Sequence, residues 1–181
     1  MPLIIRKVQL AFASAILTLL ITGGMSYRSI SLSNESDRWV RHTHEVLENL
    51  QGLLAIMHGI ESSYRGFALS GNEPSLELYR ANVVRLGQEE ATLRKLIVDS
   101  LEQQRQQQAV EKLAAQKIQF VELVINLRRT KGLEAAADAI RSGLGERIMD
   151  EFQGEIREMQ NEELRLLALR DADAKRRLGE T

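Results

Sequence analysis

Proline occurs only at Pro2 and Pro74 in this 181-residue chain, so residues 3–73 and 75–181 carry no residue that removes a backbone donor and clashes with the preceding turn. Long uninterrupted helices are what such a chain can build. A sandwich or barrel asks for frequent turns and for aromatic or β-branched strands. Here the 44% apolar share rests on leucine and alanine, with only 4% aromatic residues. Absence of cysteine excludes a disulfide scaffold, a thiolate zinc site, a cysteine nucleophile and a redox motif, and leaves the compartment open. Formal net charge is -1, and no basic stripe with interleaved aromatic residues exists, so nucleic acid is not an expected partner.

The apolar residues are unevenly spread. Val8 to Met25 (VQLAFASAILTLLITGGM) holds no charged residue, and its eighteen residues span roughly 27 Å as a helix, about one bilayer core. Arg6 and Lys7 stand just before it, which by the positive-inside rule keeps residues 1–7 cytoplasmic and sends the chain after Met25 outward. Membrane lipid is therefore an expected partner through residues 8–25. A cleaved signal peptide is the competing reading, against which stand the length of the span and the lack of a following A-x-A site. With Arg6 and Lys7 set aside, the formal charge of -1 becomes -3 for the remainder.

From Thr43 onward apolar residues recur at alternating spacings of three and four: Leu47, Leu50, Leu54, Met57, Glu61, Tyr64 and Ala68, flanked by Val46, Leu53, Ile60 and Phe67. Ser70-Gly71-Asn72 ends this helix, with Gly71 as the left-handed cap and Pro74 in the first turn of the next. A second stripe runs Leu76, Tyr79, Val83, Leu86, Glu90, Leu93, Ile97. A third runs Val110, Leu113, Lys117, Phe120, Val124, Leu127, with a break expected near Ser100 to Gln104 and the glutamine run 103–108 read as a polar turn or solvated helix. After Thr130-Lys131-Gly132 comes a short alanine-rich helix, Leu133 to Arg141, and then a last stripe through Ile148, Phe152, Ile156, Met159, Glu163, Leu166 and Arg170. The expected fold is all-α: an up-down-up-down four-helix bundle with long first and last helices, the first continuous with a transmembrane helix.

The end of the first helix reads Glu61-Ser62-Ser63-Tyr64-Arg65-Gly66-Phe67-Ala68-Leu69-Ser70-Gly71-Asn72-Glu73, followed by Leu76-x-x-Tyr79; the last helix carries Gly143-x-Gly145, Met149-Asp150 and Met159-x-x-Glu162-Glu163-x-x-Leu166-Leu167-x-x-Arg170. From about Val40 to Arg177 the chain resembles the third class of CHASE domain, the cyclase- and histidine-kinase-associated sensory extracellular module. That resemblance implies a helical sensory ectodomain between two membrane spans, in receptors whose cytoplasmic parts are histidine kinases first, otherwise diguanylate cyclases or chemotaxis transducers. It also implies a plan for this chain: cytoplasmic residues 1–7, a transmembrane helix at 8–25, an extracytoplasmic four-helix domain at 26–178, and an end at 179–181 just before an expected second span. A bacterial inner-membrane location, a homodimer and an unidentified small-molecule or protein stimulus are expected with it. A tethered periplasmic bundle that binds a partner without signalling is the rival expectation.

Glu61 occupies a core-stripe position and Arg65 follows one turn later, so a pair is expected, joined by Glu163 or Arg170 of the last helix, acting first as a register lock and otherwise as a conformational switch or an anion site. Gly66 is expected to let a neighbour approach closely, and Phe67 and Gly71 complete the candidate motif. The histidines His42, His44 and His58 fall on different faces or several turns apart, which argues against a shared metal. No catalytic triad, HExxH or phosphate-binding loop is present, so neither an enzyme site nor a cofactor is expected.

Overall fold

In the computed structural model the backbone is described over residues 2–179, and side chains over residues 15–24 and 37–176. The chain is all-helical: α1 spans Pro2–Ser70, α2 Pro74–Leu96, α3 Leu101–Lys131, α4 Leu133–Arg141 and α5 Leu144–Gly179. Two compact units result, one of Met1–Arg41 with Leu167–Thr181, the other of His42–Leu166.

In the His42–Leu166 unit, α1 buries Val46, Leu50, Leu53, Met57, Ile60, Tyr64 and Phe67, a strict alternation of four and three that keeps one side of the helix inward. Leu47 and Leu54, expected in the stripe, are only half-buried, so the inward face is centred slightly off the sequence expectation. Against this row pack Leu76, Tyr79, Leu86 and Leu93 of α2, Val110, Phe120, Val121 and Val124 of α3, Ala136 of α4, and Phe152, Ile156 and Met159 of α5.

The turns follow from a few residues. Gly71 takes φ +70°, and its amide reaches the Phe67 carbonyl at 2.7 Å, closing α1 before Pro74 opens α2. α2 stops at Leu96 and α3 starts at Leu101, with Ser100 as N-cap accepting from the Gln103 amide at 3.3 Å. The break at residues 97–100 therefore meets the expected Ser100 to Gln104 only at Ser100, and the whole glutamine run is helix. Gly132 (φ +88°) and Gly143 (φ +74°) bracket α4, and Arg128, Arg129 and Lys131 in the last turn of α3 face its negative dipole end.

In the unit of Met1–Arg41 with Leu167–Thr181, the Arg170 guanidinium stacks on the Trp39 ring, 3.7 Å from its centroid. Lys175 pairs with Asp171 at 2.7 Å along α5. Among the described residues no helix is long and apolar enough to cross a membrane. Of the expected span at residues 8–25, side chains are described only for 15–24, and residues 8–14 and 25 lie outside them.

Candidate functional site

Besides Asn49, which donates to Glu89, three polar clusters interrupt the core of the His42–Leu166 unit among the described residues. The first centres on Lys117 of α3, whose side chain is only 1% exposed. Its Nζ donates to the Gly145 carbonyl of α5 at 2.7 Å and forms an ion pair with Glu61 Oε2 of α1. Glu61 Oε1 accepts from Arg65 Nε at 2.6 Å and from the Tyr64 hydroxyl at 3.1 Å. One carboxylate thus gathers an ammonium, a guanidinium and a phenol. Burial pulls the Lys117 pKa down against the opposing pull of Glu61, and burial pushes the Tyr64 phenol up to about 12. The Lys117 ammonium also lies 5.6 Å from the Tyr64 ring centroid and 5.9 Å from that of Phe120.

Gly145 belongs to this cluster for a steric reason. A Cβ there would meet the Phe120 ring at 2.5 Å, so only glycine lets the α5 backbone sit near enough to offer its carbonyl to Lys117. The Gly143-x-Gly145 element thus divides its work between a left-handed turn and a close approach.

The second cluster is built on Glu163 of α5, which is fully buried. Thr43 Oγ1 of α1 donates to one carboxylate oxygen and Gln103 Nε2 of α3 to the other, both at 2.7 Å. In the third, Gln107 Nε2 donates to the Glu90 carbonyl at 2.9 Å and to Glu111 Oε1 at 2.8 Å, while Arg94 meets Glu111 at 2.6 Å. Burial, and then the charge of Glu111, push the Glu90 carboxyl up to about 7, with Arg94 pulling the other way.

The structure distributes the expected residues differently from the sequence reading. Glu61 and Arg65 do meet, but the partner reaching Glu61 from another helix is Lys117, while Glu163 serves the Thr43–Gln103 cluster and Arg170 stacks on Trp39. A Cβ at Gly66 would stand 3.6 Å from Ser75 Oγ, an ordinary contact, so no close approach requires glycine there. Phe67 is core and carries Arg129 over its ring at 5.6 Å, and Gly71 is the left-handed cap. Lys117, Gln103 and Gln107 are not among the candidate residues that the sequence motifs mark. Their signal was register, because 103, 107, 110, 114, 117, 121 and 124 form one unbroken repeat of four and three, buried at every position.

Residues 36–173 match the CHASE3 domain family. Among solved structures, the sensor domain of the histidine kinase HK9 from Rhodopseudomonas palustris shares this fold, with a TM-score of 0.65 and 20% sequence identity, over 70% of this chain and 98% of that one. No curated protein matches the chain. A family match over most of the chain, together with the shared helical fold, places it: the chain belongs to the CHASE3 family of extracellular sensory domains.

Proposed function

We propose that the chain is the stimulus-receiving part of a bacterial membrane receptor. It is anchored in the inner membrane through residues 8–25 and holds residues 26–178 in the periplasm as an up-down-up-down four-helix bundle. It pairs with a second copy and passes a stimulus to an output module as a small displacement of its first and last helices. Family membership over residues 36–173 is the observation that carries this reading. That HK9 is a histidine kinase favours a kinase as the output. In support of the anchor, Ile16, Leu17, Leu19, Leu20 and Ile21 are all more than half exposed, an apolar band with no protein partner among the described residues. In support of displacement, Glu61 has three donors to choose among, so a small slide of α3 along α1 trades Lys117 against Arg65 without orphaning the carboxylate.

Because the chain has no cysteine, each introduced one is unique. Single cysteines placed along residues 26–41 and oxidised in membranes are expected to crosslink two copies at spacings of three and four; no crosslink at any position defeats the dimer. A membrane-impermeant maleimide added from outside is expected to label His44→Cys and spare Ile4→Cys, and the reverse pattern defeats the orientation.

A further inference from the structure

A groove of about 480 Å³ opens between α3 and α5, floored by Phe120 and Ile148 and edged by Leu123, Leu144, Arg147 and Glu151. Leu123 and Leu144 are 50% and 42% exposed, so the groove presents apolar surface to solvent. Arg147 and Glu151 stand one turn apart on α5, in register to pair with each other. Elsewhere on the same helix such neighbours do pair, Arg165 with Glu162 and Lys175 with Asp171, both at 2.7 Å. Yet neither the Arg147 nor the Glu151 side chain has a hydrogen-bond or ion-pair partner among the described residues. One free cation, one free anion and an apolar floor complement a molecule with both charges and an apolar body.

We propose that this groove binds a small zwitterion with an apolar side chain, of the aliphatic or aromatic amino-acid class, its carboxylate at Arg147, its ammonium at Glu151 and its side chain on Phe120 and Ile148. The inference deepens the sensory reading and rests on it, since it supplies the stimulus. It also supplies a route inward. The Phe120 ring that floors the groove stands edge-on to Tyr64, with ring centroids 6.2 Å apart and planes at 88°. The same ring leaves no room for a Cβ at Gly145, whose carbonyl holds Lys117. A ligand seated on Phe120 therefore bears on the ring that packs against the Glu61–Lys117 pair.

The test is calorimetric titration of the full 181-residue chain in detergent with L-phenylalanine and L-leucine. Phenylethylamine, 3-phenylpropionate and glycine serve as ligands lacking one charge or the apolar body. Saturable binding of the two amino acids is expected, with each control at least roughly tenfold weaker. Arg147→Gln and Glu151→Gln, both at exposed positions, are each expected to weaken L-phenylalanine by about tenfold while leaving the unliganded melting temperature unchanged. No saturable heat with either amino acid at about 10 mM overturns the proposal, as does binding that both variants leave unchanged. A dimer that Leu123→Ser dissociates also overturns it, because the groove is then covered by a second copy. Lack of binding with the α1 crosslinks intact refutes this inference alone; binding without crosslinks upholds it and defeats the dimeric-receptor reading.

Discussion

Replacing Lys117 by methionine isolates the contribution of the buried ammonium, because the variant keeps an unbranched apolar stem of similar length against Tyr64 and Phe120. The Gly145 carbonyl loses its donor inside the core, a loss of about 1–3 kcal/mol. Glu61 loses one of its partners, but its side chain is 17% exposed and keeps Arg65 and Tyr64, so this part is nearer about 1 kcal/mol than the 3–5 of a fully buried pair. Removal of a desolvated charge returns about 1 kcal/mol. The net expectation for Lys117→Met is a destabilisation of about 1–3 kcal/mol, or a Tm lower by roughly 3–10 °C. Thermal and urea unfolding followed by circular dichroism measure it. The double variant Glu61→Met/Lys117→Met replaces the pair by apolar groups and is expected to lose less than the sum of the single changes, with a coupling of at least about 1 kcal/mol. The pH dependence gives a second check. The folded pKa of Lys117 lies below its ordinary 10.5, so between the two values the unfolded chain binds more protons, and stability rises with pH there in the wild type but not in Lys117→Met. Additive single variants, or a Lys117→Met protein within about 0.5 kcal/mol of wild type, would refute the reasoning.

Glu90 should act in the opposite direction to most carboxylates. Its folded pKa of about 7 stands above 4.5, so the native state binds more protons in that window, and stability falls as pH rises through it. Glu90→Gln is accordingly expected to stabilise the chain by about 1–2 kcal/mol at pH 8, a gain that vanishes below about pH 4.5; equal urea midpoints for the two proteins at pH 8 count against the buried cluster. Two helical glycines should separate cleanly. Gly145→Ala drives a methyl into the Phe120 ring and is expected to cost about 1–3 kcal/mol, whereas Gly66→Ala meets only an ordinary contact and is expected to gain up to about 1 kcal/mol from helix propensity. Matched melting curves for the pair check both.

Where the sequence reading succeeded, a local rule decided the outcome. Gly71 before Pro74 fixes a stop and a start by backbone chemistry alone, and the three-four rhythm places Leu50, Met57 and Tyr64 inward without reference to any other helix, although Leu47 and Leu54 of the same stripe are only half-buried. The reading erred where chemistry outranked register. Composition marks the glutamine run as solvated, yet continuing the Val110–Lys117 repeat backward places Gln103 and Gln107 inside, and their amides are satisfied there by Glu163, Glu111 and the Glu90 carbonyl. Glu61 and Lys117 each sat at a core position of its own helix with opposite charge. Their pairing is a property of two stripes together and of neither alone. The role of Gly145 was not legible, because it depends on where a ring 25 positions earlier comes to rest.

The buried polar side chains of α3 answer every other long helix of the His42–Leu166 unit: Gln103 reaches α5, Lys117 reaches α1 and α5, and Gln107 reaches α2. Apart from Asn49 with Glu89, which join α1 to α2, and Thr43 with Glu163, which join α1 to α5, the polar matching of helices among the described residues passes through this one element. A chimaera that exchanges α1 alone between two such domains pairs a foreign carboxylate with the resident lysine position, and inherits a mismatched interior even when every apolar residue fits. Exchange of α1 together with α3 carries lock and key in the same fragment. Recombination, in the laboratory or in descent, should therefore tolerate a crossover before Thr43 far better than one in the α1–α2 turn, or one after Lys131, which parts Glu163 from Thr43 and Gln103.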